Sequence, residues 1–217
     1  MIITIDGPAG AGKSTAAKGL AARLGFEFLD TGAMYRMAAL VLDRAQIPYE
    51  DEVRVTPFLA QLRLEIANHH LIMNGEDLTE QIRTPERSMA ASLVAVYPHV
   101  RRFLVKCQRE IASTRRMVSE GRDQGTAAFP DALCKFFLTA TVEARAERRY
   151  HELIERGVAA DLEEVKAAIR IRDKQDSERV TDPLTAAPDA IIVDSSNLTS
   201  NQVLDRLEKD ARRCLPG

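Results

Sequence analysis

Two periodicities share this chain, one suited to strands and one to helices. Ile2, Ile3 and Ile5 form a short apolar run that predicts a strand over 2–6, and the alanine-rich stretch behind it predicts a helix over 13–24. Phe26 to Leu29 reads as a second short strand and Gly32 to Arg44 as a second helix. Met117 to Ser119 and Lys135 to Thr139 predict two more strands, and a charged helix runs from Val142 to Arg156. Ile191 to Val193 is the last strand. A terminal amphipathic helix over 199–213 carries Val203, Leu204 and Leu207 on one face. Strand alternating with helix predicts an α/β fold, a parallel sheet covered by helices on both faces.

Roughly seventy residues separate the second helix from the third strand, too many for a structureless loop in a compact domain. They carry signals of their own. Leu62 to Ile66 and Leu71 to Met73 read as short strands around the turn-like Asn68-His69-His70, and Asn74-Gly75-Glu76-Asp77 is another turn. Thr84 suits a helix N-cap with Pro85 at the first helical position, and a further helix runs from Pro98 to about Ala112. This stretch reads as a small inserted subdomain. Residues 157–189 are dense in interleaved charge and interrupted by Pro183 and Pro188, the pattern of a solvated helix and a connector.

A length of 217 residues suits one α/β domain with an insertion. The formal net charge of −2 gives no global attraction to nucleic acid. Tryptophan is absent and aromatic residues make up 5%, so stacking platforms for single strands are not expected. No apolar run approaches the ~18 residues of a membrane span. A strand and functional motif at the N-terminus leave no room for a cleavable signal, which predicts a cytoplasmic protein. Cys107, Cys134 and Cys214 are far apart in sequence, odd in number and without metal spacing, so they are expected to be inert thiols. The four histidines show no metal or nucleophile–base spacing.

The chemistry begins at Gly7-Pro8-Ala9-Gly10-Ala11-Gly12-Lys13-Ser14, which is G-x-x-x-x-G-K-[ST] between a strand and a helix. Such a loop curls its backbone N–H groups into one concavity at a helix N-terminus and so binds phosphates. Lys13 would lie along the β- and γ-phosphates of a nucleoside triphosphate, and the Ser14 hydroxyl would ligate Mg²⁺. The acceptor must be sought elsewhere. Asp30-Thr31-Gly32-Ala33-Met34-Tyr35-Arg36 spans a strand end and a helix start, where Asp30 or Thr31 would cap. Arg36 one turn on is disfavoured by the helix dipole, a cost that a bound phosphate would offset. Gly121-Arg122-Asp123-Gln124-Gly125-Thr126 follows the third strand. Its bracketing glycines suggest a tight backbone near a ligand, with Asp123 orienting the acceptor or acting through Mg²⁺. Arg172, Asp176 and Arg179 share one helix face and suit a sugar diol beside a phosphate. Arg148 and Arg149 read either as a lid over the triphosphate or as salt-bridged surface residues.

Taken in order, these segments resemble the bacterial-type cytidylate kinases over nearly the whole chain. Ala90-Ala91-Ser92, Pro98-His99-Val100-Arg101, Phe129-Pro130-Asp131-Ala132, Pro183-Leu184 and Asp189-Ala190 add to the match. The resemblance implies a P-loop NTPase fold in one kinase domain, with a core at about 1–61 and 114–217. It further implies a nucleoside monophosphate-binding subdomain at about 62–113 and a short lid at about 148–180. The implied reaction moves the γ-phosphate of ATP to CMP or dCMP with Mg²⁺. By the same resemblance Gly7 to Thr15, with Arg148, hold ATP, and Thr31, Arg36, Ser92, Arg101, Arg122, Asp123, Arg172, Asp176 and Arg179 hold CMP. Lys13, Arg122 and Asp123 would be catalytic, Ser14 would hold the metal, and Ser92 and Arg101 would lie near the cytosine. Gln124, Ala127-Ala128 and Glu120 depart from the family pattern and bear on the geometry around Asp123. The partners expected are small nucleotides alone, with neither nucleic acid nor membrane, acting on a monomer. A kinase of another small acceptor, a GTP-dependent switch and a phosphate-loop scaffold without chemistry are the rival readings. The chain lacks the Asn-Lys-x-Asp and Asp-x-x-Gly elements of the switch.

Overall fold

The computed structural model describes residues 1–67, 70–155 and 157–215. Asn68 and His69 of the expected turn, and Arg156 at the end of the charged helix, lie outside the described residues. The chain divides into two compact units, 1–29 with 116–217, and 30–115.

The first unit is built on a five-stranded sheet of β1 (Ile2–Asp6), β2 (Glu27–Asp30), β6 (Met117–Gly121), β7 (Cys134–Thr139) and β8 (Ile191–Asp194), in the order β2-β6-β1-β7-β8. The pairings β1–β6, β1–β7 and β7–β8 are parallel. Four strands carry buried runs on both faces because helices cover the sheet, as parallel sheets require. The helices are α1 (Lys13–Leu24), α6 (Val142–Glu155), α7 (Leu162–Ser177) and α8 (Ser200–Cys214). Ile3, Ile5, Leu20, Phe136 and Leu207 sit in the core with essentially no exposure. The expected pattern holds: β1 and α1 have the expected bounds, and the other boundaries are displaced by at most two residues. A short π-helix at Gln124–Ala128, which no periodicity announces, follows β6.

The second unit holds α2 (Thr31–Arg44), α3 (Glu52–Ala60), an antiparallel sheet of β3 (Leu64–Ala67), β4 (His70–Met73) and β5 (Glu76–Asp77), then α4 (Pro85–Val94) and α5 (Pro98–Ala112). Thr84 caps α4 as expected, accepting from Arg87 N–H, with Pro85 in the first turn. α3 was not expected, because Pro57 lies inside it. The helix forms anyway. Asp51 caps it, and Val55 and Leu59, four residues apart, bury one face. No helix among the described residues is long and apolar enough to cross a membrane.

Candidate active site

The phosphate loop is fixed from behind. A nest of inward-pointing N–H groups needs its carbonyls turned outward, and outward carbonyls in a buried place need donors. Gly10 and Gly12 take left-handed conformations, at φ +77° and +88°, which reverse the backbone twice within the loop. Arg145 Nη1 donates to the Ala9 carbonyl at 3.1 Å, and Ser195 Oγ donates to the Ala11 carbonyl at 3.2 Å. Arg145 is 4% exposed and completes its donor set on Ala140 O and on both carboxylate oxygens of Asp173. Neither Arg145 nor Ser195 was singled out from the sequence. The available signal for Ser195 was its place just after β8, at the same carboxyl edge of the parallel sheet as the loop after β1.

Lys13 is buried and donates to Pro8 O at 2.9 Å. Burial, then the positive charges of Arg122 and Arg172, push its ammonium down to about 7, against Glu120 and Asp176, which pull it upward. Ser14 Oγ donates to the buried Glu120 carboxylate, which was noticed in sequence only as a family departure.

The segment after β6 is anchored to β1. Asp6 is 4% exposed and accepts the N–H groups of Gln124 at 2.8 Å and Gly125 at 2.7 Å. Burial pushes its carboxyl up to about 6, although these two hydrogen bonds pull the other way. A Cβ on Gly125 would lie 2.9 Å from Thr4 Oγ1, so the tight backbone expected beside a ligand is tight against the protein's own first strand. Gln124 is buried, and its Oε1 accepts from Ser119 Oγ at 2.8 Å. The anchoring sets the position of Arg122 and of the buried Asp123.

Arg122 Nε donates to Asp176 Oδ2 at 2.6 Å. Burial favours the neutral form of Asp176, but Arg122, Arg179 and Arg172 together hold its carboxyl below the usual range. Arg179 does not share the helix face expected for it, because α7 ends at Ser177 with Glu178 as its C-cap; its Nη2 reaches the Asp182 carbonyl at 2.9 Å. The first unit thus brings Lys13, Glu120, Arg122, Arg172, Asp176 and Arg179 within electrostatic reach of one another. Arg148 donates to the Ser195 hydroxyl at 3.1 Å and to its carbonyl at 2.5 Å, while Arg149 pairs with Glu152.

The second unit gathers the other predicted residues on three of its helices. At α2, Asp30 rather than Thr31 makes the cap, accepting from Ala33 N–H at 2.8 Å. Its other oxygen pairs with Arg36 Nη2 at 3.3 Å, so part of the dipole penalty on Arg36 is met within its own turn. The buried Arg36 Nε has no hydrogen-bond acceptor among the described residues. Thr31 is buried. Ser92 on α4 bonds back to Ser88 O at 3.4 Å. Arg101 on α5 is 2% exposed, with its guanidinium 5.9 Å from the Tyr35 ring centroid. His99 is buried against the Tyr49 carbonyl, a structural role.

The family model described as cytidylate kinase matches residues 3–213. A cytidylate kinase of Caldanaerobacter subterraneus subsp. tengcongensis is 46% identical over 99% of this chain and 96% of its own length. One of Thermosipho melanesiensis is 48% identical over 95% and 94%. Among solved structures, TT1252 from Thermus thermophilus matches with a TM-score of 0.50 at 23% identity, covering 100% of this chain and 98% of that one, a likeness of fold. A phosphate loop braced by buried donors, a cation-rich cluster beside it and these full-length similarities lead to one statement: this chain belongs to the cytidylate kinase family.

Proposed function

We propose that this chain transfers the γ-phosphate of ATP to CMP or dCMP, giving ADP and CDP or dCDP. The observation that carries the reading is the cation cluster of Lys13, Arg122, Arg172 and Arg179 set beside a phosphate loop in one unit. Arg122, Arg172 and Arg179 all act on Asp176, and Lys13 feels both Glu120 and Asp176, so the basic groups of the cluster outnumber these two carboxylates. Phosphates would supply the balancing negative charge.

The loop 7–15 holds the triphosphate of ATP through its N–H groups. Lys13 turns from Pro8 O to the β- and γ-oxygens as charge spreads there. Arg36, Arg122 and Arg179 grip the acceptor phosphate and hold it in line, and Arg172 and Asp176 address the sugar. Thr31, Ser92 and Arg101 recognise the rest of the nucleotide, with Asp123 beside the acceptor. The acceptor oxygen is already ionised at neutral pH, so positioning suffices and no general base is required. The stretch at 62–113 acts as the monophosphate-binding subdomain. The stretch at 148–180, with Arg148, acts as a lid that keeps water from the transferring group.

The residues fit a magnesium ion. Ser14 Oγ and the Glu120 carboxylate already converge as oxygen donors. The described residues hold no group of three or more acidic, His or Cys side chains arranged for a metal, which suits an ion that keeps waters and phosphate oxygens as ligands. When bound, Mg²⁺ neutralises charge on the phosphates.

A single-turnover assay with ATP and a panel of CMP, dCMP, UMP, AMP and shikimate tests the reading. Fastest transfer to CMP or dCMP is expected. Preference for AMP or shikimate, or no transfer at all, overturns it.

A further inference from the structure

The expectation of three separated, inert thiols is corrected in space for two of them. Cys134 opens β7, pairs in register with Ile3 of β1 and is 3% exposed. Cys214 closes α8, eighty residues further on, and is half-buried. The two Sγ atoms are 2.7 Å apart. Both belong to the first unit, whereas Cys107 is buried on α5 in the second.

The fold already holds the two sulfurs close together. α8 is held along its length against α1. Arg23 bonds Asp205 at 2.6 Å and Glu208 at 2.9 Å, and Leu204 packs so closely over Gly19 that a Cβ there would lie 2.8 Å from it. Val203, Leu207 and Ala211 are buried in the core beside Cys134, with Cys214 packed at its margin. The last turn of α8 therefore presents Cys214 to β7, and only the final approach to the ~2.0 Å of a covalent bond is missing.

We infer that Cys134 and Cys214 are a modification site, a thiol pair that a small-molecule disulfide converts to an intramolecular disulfide. The more exposed Cys214 meets the reagent first. Its sulfur bonds to one sulfur of RS–SR, the S–S bond breaks, and one RSH leaves with the thiol proton. Cys134 then attacks Cys214 in the mixed disulfide and releases the second RSH. Both cysteine sulfurs are oxidised and one RS–SR is reduced to two RSH. Burial pushes the Cys134 thiol upward, so the second step is the slow one. The product ties the end of the chain to the central sheet and closes a loop that contains α6, α7 and β8. Closing so long a loop restricts the unfolded chain.

Full-length protein is equilibrated in glutathione buffers ranging to fully oxidised. Free thiols are counted in denaturant, and peptides are mapped without reductant. The expected result is a fall from three thiols to one, a Cys134–Cys214 cross-linked peptide and a midpoint of thermal unfolding raised by about 5–10 °C. Cys214→Ser should keep the parent midpoint in reductant and show no rise on oxidation. Three thiols retained at the oxidised extreme overturn the inference, as does a glutathione adduct on Cys214 that never resolves. Neither outcome bears on the kinase reading, which uses neither cysteine.

Discussion

The two units treat their polar groups differently. In the first, the functional backbone is tied by short bonds from distant, buried side chains: Arg145 and Ser195 on the loop carbonyls, Asp6 on two N–H groups, Asp176 on Arg122. In the second, the contacts made by Arg36 and Ser92 are local and longer. Arg36 meets its own helix cap at 3.3 Å, and Ser92 its own helix at 3.4 Å. A site organised before its ligand arrives wastes no binding energy on ordering, whereas a site held locally leaves some ordering to the ligand. The loop proposed for the triphosphate and the Arg122–Asp176 pair proposed for the acceptor are built in the first way, and the acceptor contacts proposed on α2 and α4 in the second.

The sharpest way to break this contrast is at Lys13. Lys13→Met should lower kcat by about 10²- to 10³-fold, the scale of losing one preorganised donor to a developing anion. Its unfolding midpoint should not fall, because the buried ammonium is held down at about 7 and so disfavours the folded state. Between pH 7 and the ordinary lysine range the folded protein binds fewer protons than the unfolded one, so this penalty is full below about pH 7 and fades as pH rises. Melting curves at pH 6 and pH 9 check the sign. A variant within tenfold of parent turnover would contradict the role.

Arg145→Ala removes a loop brace and the buried partner of the part-exposed Asp173, and should cost about 1–3 kcal/mol in chemical denaturation. Arg145→Lys keeps the charge and loses the fork. It should remain folded and raise the KM for ATP more than that for CMP, and equal effects on both would blur the contrast.

Arg36→Ala tests the second unit. Loss of charge-assisted bonds to phosphate is expected to cost about 1.5–3 kcal/mol in kcat/KM for CMP. The KM for ATP should stay as it was and the melting point nearly so, since the Asp30 contact is partly exposed. An effect confined to ATP would place Arg36 wrongly.

The smallest effect is a proton count. Triphosphate binding should restore the ammonium of Lys13, so ATP binding at pH 8 takes up most of one proton and at pH 6 almost none. Calorimetry in buffers of different ionisation heat measures this, and no uptake at pH 8 would mean that Lys13 stays away from the phosphates.

The hydrophobic pattern carried the alternation of the fold because each strand and helix needed its own apolar face. The phosphate loop was legible for a similar reason, its chemistry being local in sequence. What stayed hidden was long-range or broke a local rule. Pro57 masked α3 until Val55 and Leu59 found a core to bury in. Arg145 looked like one more charge on a charged helix. Its importance comes from a carbonyl 136 residues away. Cys134 and Cys214 are neighbours only because α8 returns to the sheet. Arg122 and Asp176 were each picked out, but their 2.6 Å bond needed the fold to join them.

Arg145 grips Ala9 in the loop and Asp173 on α7, the helix that also bears Arg172 and Asp176. A guanidinium is a rigid planar fork, so one group can serve both partners at once. The loop and the α7 cluster thus share one buried side chain, and any change that occupation of one makes in the affinity of the other must, by thermodynamic reciprocity, be returned by the same factor.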